Sequence, residues 1–470
     1  MIYNSFAFLV CFPFIFLLYY LIPARFKKSR NAFLLLVSYL LYINWKPVYA
    51  LILLGITVLT YLTALLVEHY KDKTKTIMTT GVVVGLLPLL FFKYFNFINE
   101  TIYDTLSMFG LRYELQGLNW AVPVGISFFT FQAIGYVWDV YYKKIAAERD
   151  FLTYALFISF FPSIVSGPIN KASLIIPQLK NLRPYFDYAK AVRGLRMILW
   201  GMFMKVVLAD RIGSSIDSFS GTLETESGLM NLTVALLYSF QIYGDFAGYS
   251  FMALGVGELL GFELINNFRR PYLSQSVTEF WHRWHISLSV WLRDYIYIPL
   301  GGSRCSKFRN YINIMITFLV SGLWHGANWT FVAWGGMHGF FQIFEKMLGW
   351  NKNLHNGVIR VLRIFVTYII VSFAWIFFRQ PTFSAAWNQI VRIVTNHDMT
   401  IHYSKESVIF MTFALGVVTM KDVVDECQIK GMDLFHGTNM VIRWFFYMFL
   451  LASILLAGVF DTSQFIYINF

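Results

Sequence analysis

The chain has 470 residues, of which 57% are hydrophobic, 19% aromatic and only 14% charged. A soluble domain carries about 25% charged residues, so the composition excludes a water-soluble multidomain enzyme, a disordered chain and a disulfide scaffold, and leaves an all-α, multi-pass protein of the plasma membrane. The net charge of +12 arises from short basic clusters between apolar runs, which is the imprint of the positive-inside rule and not of a face built for nucleic acid.

A membrane span needs about twenty mostly apolar residues. Residues 6–22 read as the first span. No basic residue precedes it, while Arg25, Lys27, Lys28 and Arg30 follow, so it is expected to remain as an anchor with Met1 outside. The apolar stretch 31–67 breaks near Trp45-Lys46-Pro47 into two spans that end at Lys71, Lys73 and Lys75. Residues 77–98 cross outward to a polar loop at 99–120, and 123–141 return to Lys143, Lys144 and Arg149.

Residues 151–168 are apolar, yet basic residues stand on both flanks. With Pro162, Gly167 and Pro168 inside, the stretch predicts a re-entrant segment, which is tolerated only where protein or a polar cavity surrounds it. Residues 194–208 go outward to an acidic loop at 209–228, and a long helix over 229–262 comes back. Residues 272–308 carry too many charges and ring nitrogens for a lipid-facing span and predict short cytoplasmic-side or re-entrant helices. Crossings at 310–328, 329–347, 361–378, 406–420 and 440–460 follow, giving roughly twelve spans in all with both termini outside. No linker-like stretch interrupts residues 1–470, so a single domain is expected.

Ionisable residues at membrane depth are costly and mark candidate sites. His69, His355, His397, His402 and His436 fall in polar loops or at span ends, where a solvated histidine is the plain reading. His282, His285, His325 and His338 have apolar, aromatic surroundings. His325 sits in Ser321-Gly-Leu-Trp-His-Gly-Ala-Asn-Trp329, flanked by Gly322 and Gly326, which permit close backbone approach. Such surroundings favour the neutral imidazole, the form that accepts a proton from a hydroxyl. A packed histidine bonded to a carbonyl remains the alternative.

His282 and His285 are spaced i,i+3, which predicts one helical face. No HExxH motif or carboxylate at ligand spacing accompanies them, so no metal site is expected. No G-x-S-x-G elbow occurs, and Cys11, Cys305 and Cys427 are isolated.

The segment Phe280-Trp-His-Arg-Trp-His-Ile-Ser-Leu-Ser-Val-Trp-Leu-Arg-Asp-Tyr-Ile-Tyr-Ile-Pro-Leu-Gly-Gly302 resembles the signature of bacterial membrane-bound O-acyltransferases, in particular those of alginate O-acetylation. Four further motifs agree: Pro123-Val-Gly-Ile-Ser-Phe-Phe-Thr-Phe-Gln132, Ser166-Gly-Pro-Ile169, Gln241-Ile-Tyr-Gly-Asp-Phe-Ala-Gly-Tyr-Ser250 and Gly322-Leu-Trp-His-Gly326. They extend over about residues 120–340, and the set is specific where one alone would be weak.

The resemblance implies a multi-span fold whose short helices form a central funnel. It implies that the histidine of the Trp-His-Gly motif, here His325, is catalytic and that a second, here His285, precedes the Ser-Leu-Ser stretch. His282 stands outside that core. Trp324, Asn328, Asp245, Tyr243 and Arg293 are the candidate substrate-binding residues, and Arg269, Arg270 and Arg283 join Arg293 as candidates for docking donor phosphates. Asp245 is open between orienting a histidine or Tyr243 and pairing with an arginine.

The implied donor is a cytoplasmic thioester, acetyl-CoA or an acyl carrier protein, taken as substrate with no bound cofactor. The implied acceptor is an extracytoplasmic hydroxyl, on a polysaccharide or reached through a periplasmic SGNH-type acetyltransferase partner. Phe251 stands where an aspartate is common, which leaves the acceptor polymer open. Cell-wall acylation, of peptidoglycan or by D-alanine on teichoic acid, is the alternative within this fold. A transporter passing polymer or lipid is a third reading, which the lack of an internal repeat disfavours.

Overall fold

The computed structural model describes residues 3–111, 117–118, 120–181, 186–219, 222–352, 354, 357–428, 439–460 and 466. His355 and His436 lie outside the described residues. Among these residues every regular element is a helix, and each stretch read as a span carries one. Among the described residues five helices are long and apolar enough to cross a membrane by length and composition alone: Pro47–His69, Lys71–Met108, Gly357–Arg379, Lys405–Cys427 and Met440–Ala457.

The break near residue 46 falls between the helices Lys27–Ile43 and Pro47–His69, with Pro47 at the first helical position, where its missing N–H costs nothing. The polar loop expected at 99–120 starts later. The helix Thr74–Leu89 passes through a π-turn at Leu90–Tyr94 into the helix Phe95–Met108. Asn96, Asn99 and Glu100 are polar, but their spacing fits a helix, so polarity alone misplaced the boundary.

A second boundary moves for another reason. The residues after Ala209 were expected in an exposed acidic loop, yet Asp210–Asp217 is helical, and Asp210 is buried against Lys205. Pairing removed the charge from water, which a one-dimensional reading cannot see.

Residues 151–168 form two short helices, Phe151–Ser159 and Phe161–Ile164, broken at Phe160 before Pro162. Residues 153–170 are all buried. Their free backbone groups find protein partners, as irregular backbone at membrane depth requires. Phe161 N–H donates to Ser38 Oγ, Gln132 Nε2 to the Phe157 carbonyl, and Tyr3 Oη to the Pro162 carbonyl.

The axis of the molecule is the unbroken 32-residue helix Gly228–Leu259. It packs on the helical run Tyr188–Ala209 through facing glycines. A Cβ at Gly255 would lie 2.4 Å from the Gly194 carbonyl, and one at Gly248 would lie 2.7 Å from that of Gly201. Small residues at such spacing let membrane helices close to backbone contact. Among the further helices that were not anticipated is the amphipathic Phe383–Thr395, capped by Thr382.

Candidate active site

The helix Lys307–His325 ends at the candidate histidine, and Trp329–Leu348 folds back beside it. Gly322 and Gly335 make the hairpin tight: a Cβ at Gly322 would stand 2.3 Å from the Phe331 carbonyl, and one at Gly335 2.3 Å from that of Phe318. His325 is 1% exposed. Its Nδ1 lies 2.7 Å from the Ser321 carbonyl oxygen, one turn back. A carbonyl can only accept, so Nδ1 carries the proton and Nε2 the lone pair. Trp334 and Phe378 meet the imidazole edge to face at centroid distances of 4.8 and 5.6 Å.

His285 occupies a different kind of position. The short helices Val277–Arg283 and Ile286–Leu292 are separate, and His285 joins them in left-handed backbone with φ of 42°. Asn267 fixes this corner: Ile286 N–H donates to its carbonyl at 3.1 Å and Ser287 N–H to its Oδ1 at 3.1 Å. His282 and His285 therefore do not share a helical face. His282 is exposed while His285 is fully buried; the i,i+3 spacing counted residues across a chain reversal. Among the described residues no group of three or more His, Cys, Asp or Glu side chains could hold a metal ion.

The two buried histidines approach each other, with ring centroids 6.2 Å apart. Trp324 lies beside both, 5.6 Å from His285 and 5.0 Å from His325, and Phe246 meets His285 edge to face at 4.6 Å. His338 is one layer away, where its Nδ1 accepts from Trp281 Nε1 at 3.2 Å and its ring packs on Trp334.

The other candidates are not gathered around this pair. Asn328 caps the helix Trp329–Leu348, accepting from Thr330 N–H at 3.0 Å, and donates to the Pro381 carbonyl at 2.8 Å. Both its polar groups are thus engaged in holding the fold. Tyr243 donates to Asp422 Oδ2 at 3.0 Å. Asp245 pairs at 2.7 Å with Lys205, which also holds Asp210, and accepts from Ile466 N–H. Its partner is a lysine in the neighbouring helix, not a histidine, Tyr243 or an arginine.

Most of these arginines sit in ion pairs, but they share their acids, so positive charge remains. Arg270 and Arg283 share Glu426, and Arg283 also binds Glu279. Arg293 pairs with Asp294 at 2.8 Å, and Lys171 approaches the same carboxylate at 2.5 Å. Burial pushes the Asp294 carboxyl up, and the bonds from Lys171 and Arg293 outweigh it, leaving it below the usual carboxylate range. Arg269 is exposed.

Two concavities meet at the histidine helix. An open cleft of about 290 Å³ is lined by Arg293 and Lys346 among its polar residues, by Trp281 and Phe318, and by Ser321. A much smaller pocket of about 20 Å³, formed with residues 123–128, has Trp324 and His325 in its wall. Lys93 lines that pocket too, and sequence reasoning passed over it. A lysine inside the apolar run Phe91-Phe92-Lys93-Tyr94 was itself the available signal.

The fold is that of a helical membrane protein enclosing a pair of buried histidines, and comparison with known proteins specifies its class. Residues 142–378 match the model of MBOAT, the membrane-bound O-acyltransferase family. The chain is 38% identical to the probable alginate O-acetylase AlgI of Pseudomonas aeruginosa, over 82% of this chain and 74% of that protein. It is 30% identical to the peptidoglycan O-acetyltransferase of Helicobacter pylori, over 100% of this chain and 98% of the relative. Similarity to the teichoic acid D-alanyltransferase of Streptococcus thermophilus is 29%, over 54% and 68%. The chain belongs to the MBOAT family. It is an O-acyltransferase and a multi-pass protein of the bacterial inner membrane.

Proposed function

We propose that this enzyme moves an acetyl group from a cytoplasmic thioester, acetyl-CoA or an acyl carrier protein, to an extracytoplasmic polysaccharide hydroxyl, directly or through a periplasmic SGNH-type partner. The observation that carries the reading is the placement of His325 between two concavities. Ser321, whose carbonyl fixes its Nδ1, lines the cleft, and His325 itself stands in the wall of the smaller pocket. The basic clusters support a cytoplasmic mouth for the cleft, where Arg293 and Lys346 suit an anionic donor.

In this mechanism the acceptor hydroxyl enters the smaller pocket and His325 Nε2 takes its proton as the oxygen attacks the thioester carbonyl. The C–S bond breaks, the acyl–oxygen bond forms, and the proton ends on the departing thiolate. Trp324 forms part of the wall of that pocket, with His285 packed beside it. The aromatic shell keeps water from competing as acceptor.

A second reading concerns the acceptor alone. The peptidoglycan relative aligns with this chain from end to end, whereas the alginate relative aligns over 82% of it, so a cell-wall glycan is the alternative. Proteoliposomes supplied with radiolabelled acetyl-CoA and either uronic-acid oligosaccharides or peptidoglycan fragments distinguish them. Label in the uronate product supports the first reading, label in the glycan fragments the second. Label in neither, with acetyl-CoA intact, sinks direct acetyl transfer from CoA.

A further inference from the structure

The C-terminal turn of an α-helix leaves four carbonyls without intrahelical partners, and a buried end must satisfy them from elsewhere. The helix ending at His325 does so with two neighbouring residues of the π-turn Leu90–Tyr94. Tyr94 Oη donates to the Leu323 carbonyl at 2.6 Å. Lys93 Nζ donates to the Trp324 carbonyl at 2.6 Å and to the His325 carbonyl at 3.3 Å. Its third donor reaches Ser127 Oγ, also at 3.3 Å.

Lys93 is 8% exposed, and its three partners are neutral oxygens. An ammonium is an expensive choice at membrane depth, and the neighbouring Tyr94 caps a carbonyl of the same turn with a neutral hydroxyl. The Lys93 head group differs from such a cap in reaching two carbonyls and the hydroxyl of a separate helix at once. It faces the negative end of the helix dipole, beside the imidazole and in the wall of the same pocket. All three donors are engaged, so the ammonium has none left for a substrate oxyanion.

We propose that Lys93 is a positioning residue for acyl transfer, clamping the backbone of Trp324 and His325 to Ser127 so that the imidazole is held at the reacting hydroxyl. The proposal rests on the role given to His325 above. The clamp joins three separate elements: the π-turn, the start of the helix Ile126–Tyr141, and the end of the histidine helix. A displacement of an ångström at such a group costs about a hundredfold in rate.

The test compares full-length Lys93→Met, Lys93→Arg, Tyr94→Phe and His325→Ala proteins in proteoliposomes. Acetyl-CoA is the donor, and uronic-acid oligosaccharides or peptidoglycan fragments are the acceptor. Lys93→Met should lower kcat by about a hundredfold with donor KM within about twofold, and Lys93→Arg should recover much of it. Tyr94→Phe should lower the melting temperature as far as Lys93→Met does while leaving kcat nearly intact.

A Lys93→Met kcat near wild type, or equal kcat losses in Lys93→Met and Tyr94→Phe, overturns the proposal. If Lys93→Met does not accumulate, Ser127→Ala decides. It frees one arm of the clamp and keeps the lysine, so a kcat loss supports the proposal and an unchanged kcat overturns it. An active His325→Ala protein instead removes the parent reading.

Discussion

Nδ1 of His325 is bonded to the carbonyl oxygen of Ser321 at 2.7 Å, so a backbone atom of the same helix selects the tautomer of the buried imidazole. No carboxylate is needed for that selection. The ring is oriented by its own helix and by Trp334 and Phe378, and the lone pair is on Nε2.

His325→Asn keeps an amide donor for the Ser321 carbonyl but lacks the basic nitrogen. General-base assistance contributes about a hundred- to ten-thousandfold. Acyl transfer should fall by that range while the protein inserts and melts as wild type does. Retained transfer at near-wild-type rate would show that proton abstraction lies elsewhere.

For His285 the backbone and the ring can be separated. Its φ of 42° lies in the left-handed region, which costs Cβ-bearing residues about 1–2 kcal/mol and which histidine and asparagine tolerate better than alanine. His285→Ala should therefore lose stability as well as activity, and His285→Asn should lose more than tenfold in activity at nearly wild-type stability. Thermal melts and initial rates on both variants check this. Full activity in His285→Asn would mean that only the corner matters.

Much of this arrangement is visible in one dimension, for identifiable reasons. Pro47 announces the start of its helix because its chemistry is local, and the glycines around His325 announce close packing. Pairings across long separations are silent. Lys205 and Asp245 look like two stray charges until their helices are docked, and Tyr243 gives no hint of Asp422. The left-handed corner at His285 is equally hidden, so the i,i+3 count suggested one helical face where the chain makes a corner. Lys93 was legible as a charge within an apolar run, but its target, the end of a helix more than two hundred residues away, was not.

The buried group formed by Lys205, Asp210 and Asp245 predicts a stability effect distinct from catalysis. Lys205→Met leaves two carboxylates facing each other without their cation, and breaking a buried pair this way costs about 3–5 kcal/mol. Membrane accumulation should drop sharply. Adding Asp245→Asn to Lys205→Met should restore part of it, and the enzyme that folds should turn over normally. Unchanged accumulation of Lys205→Met would remove the structural role.

The broken segment 151–168 predicts a topology result. Its basic flanks place both ends on the cytoplasmic side. Ala146 and Ser173 are both exposed, so cysteines placed there in a background free of native cysteine should react with an impermeant maleimide from that same side. Labelling from opposite faces would make this segment a true crossing and reverse the orientation of every later helix.

The absence of an acyl-enzyme is the last expectation, and local geometry gives it content. Nucleophilic catalysis needs a Ser, Cys or Lys activated by an adjacent base. Ser287 Oγ accepts the Ile169 N–H at 3.0 Å, which ties its helix to the buried Ser166-Gly-Pro-Ile segment. Turning that oxygen toward a thioester would leave a buried N–H unsatisfied, at a cost of about 1–3 kcal/mol. Ser289 Oγ donates to the Trp284 carbonyl at 3.4 Å. Cys305 and Cys427 are exposed, and Cys11 lies on the first helix, so none stands in the aromatic shell of His325. Purified enzyme incubated with radiolabelled acetyl-CoA and no acceptor should therefore carry no hydroxylamine-sensitive label, while a periplasmic partner is free to carry one. A stoichiometric label mapped to Ser287, Ser289 or Cys305 would replace direct transfer with a two-step mechanism.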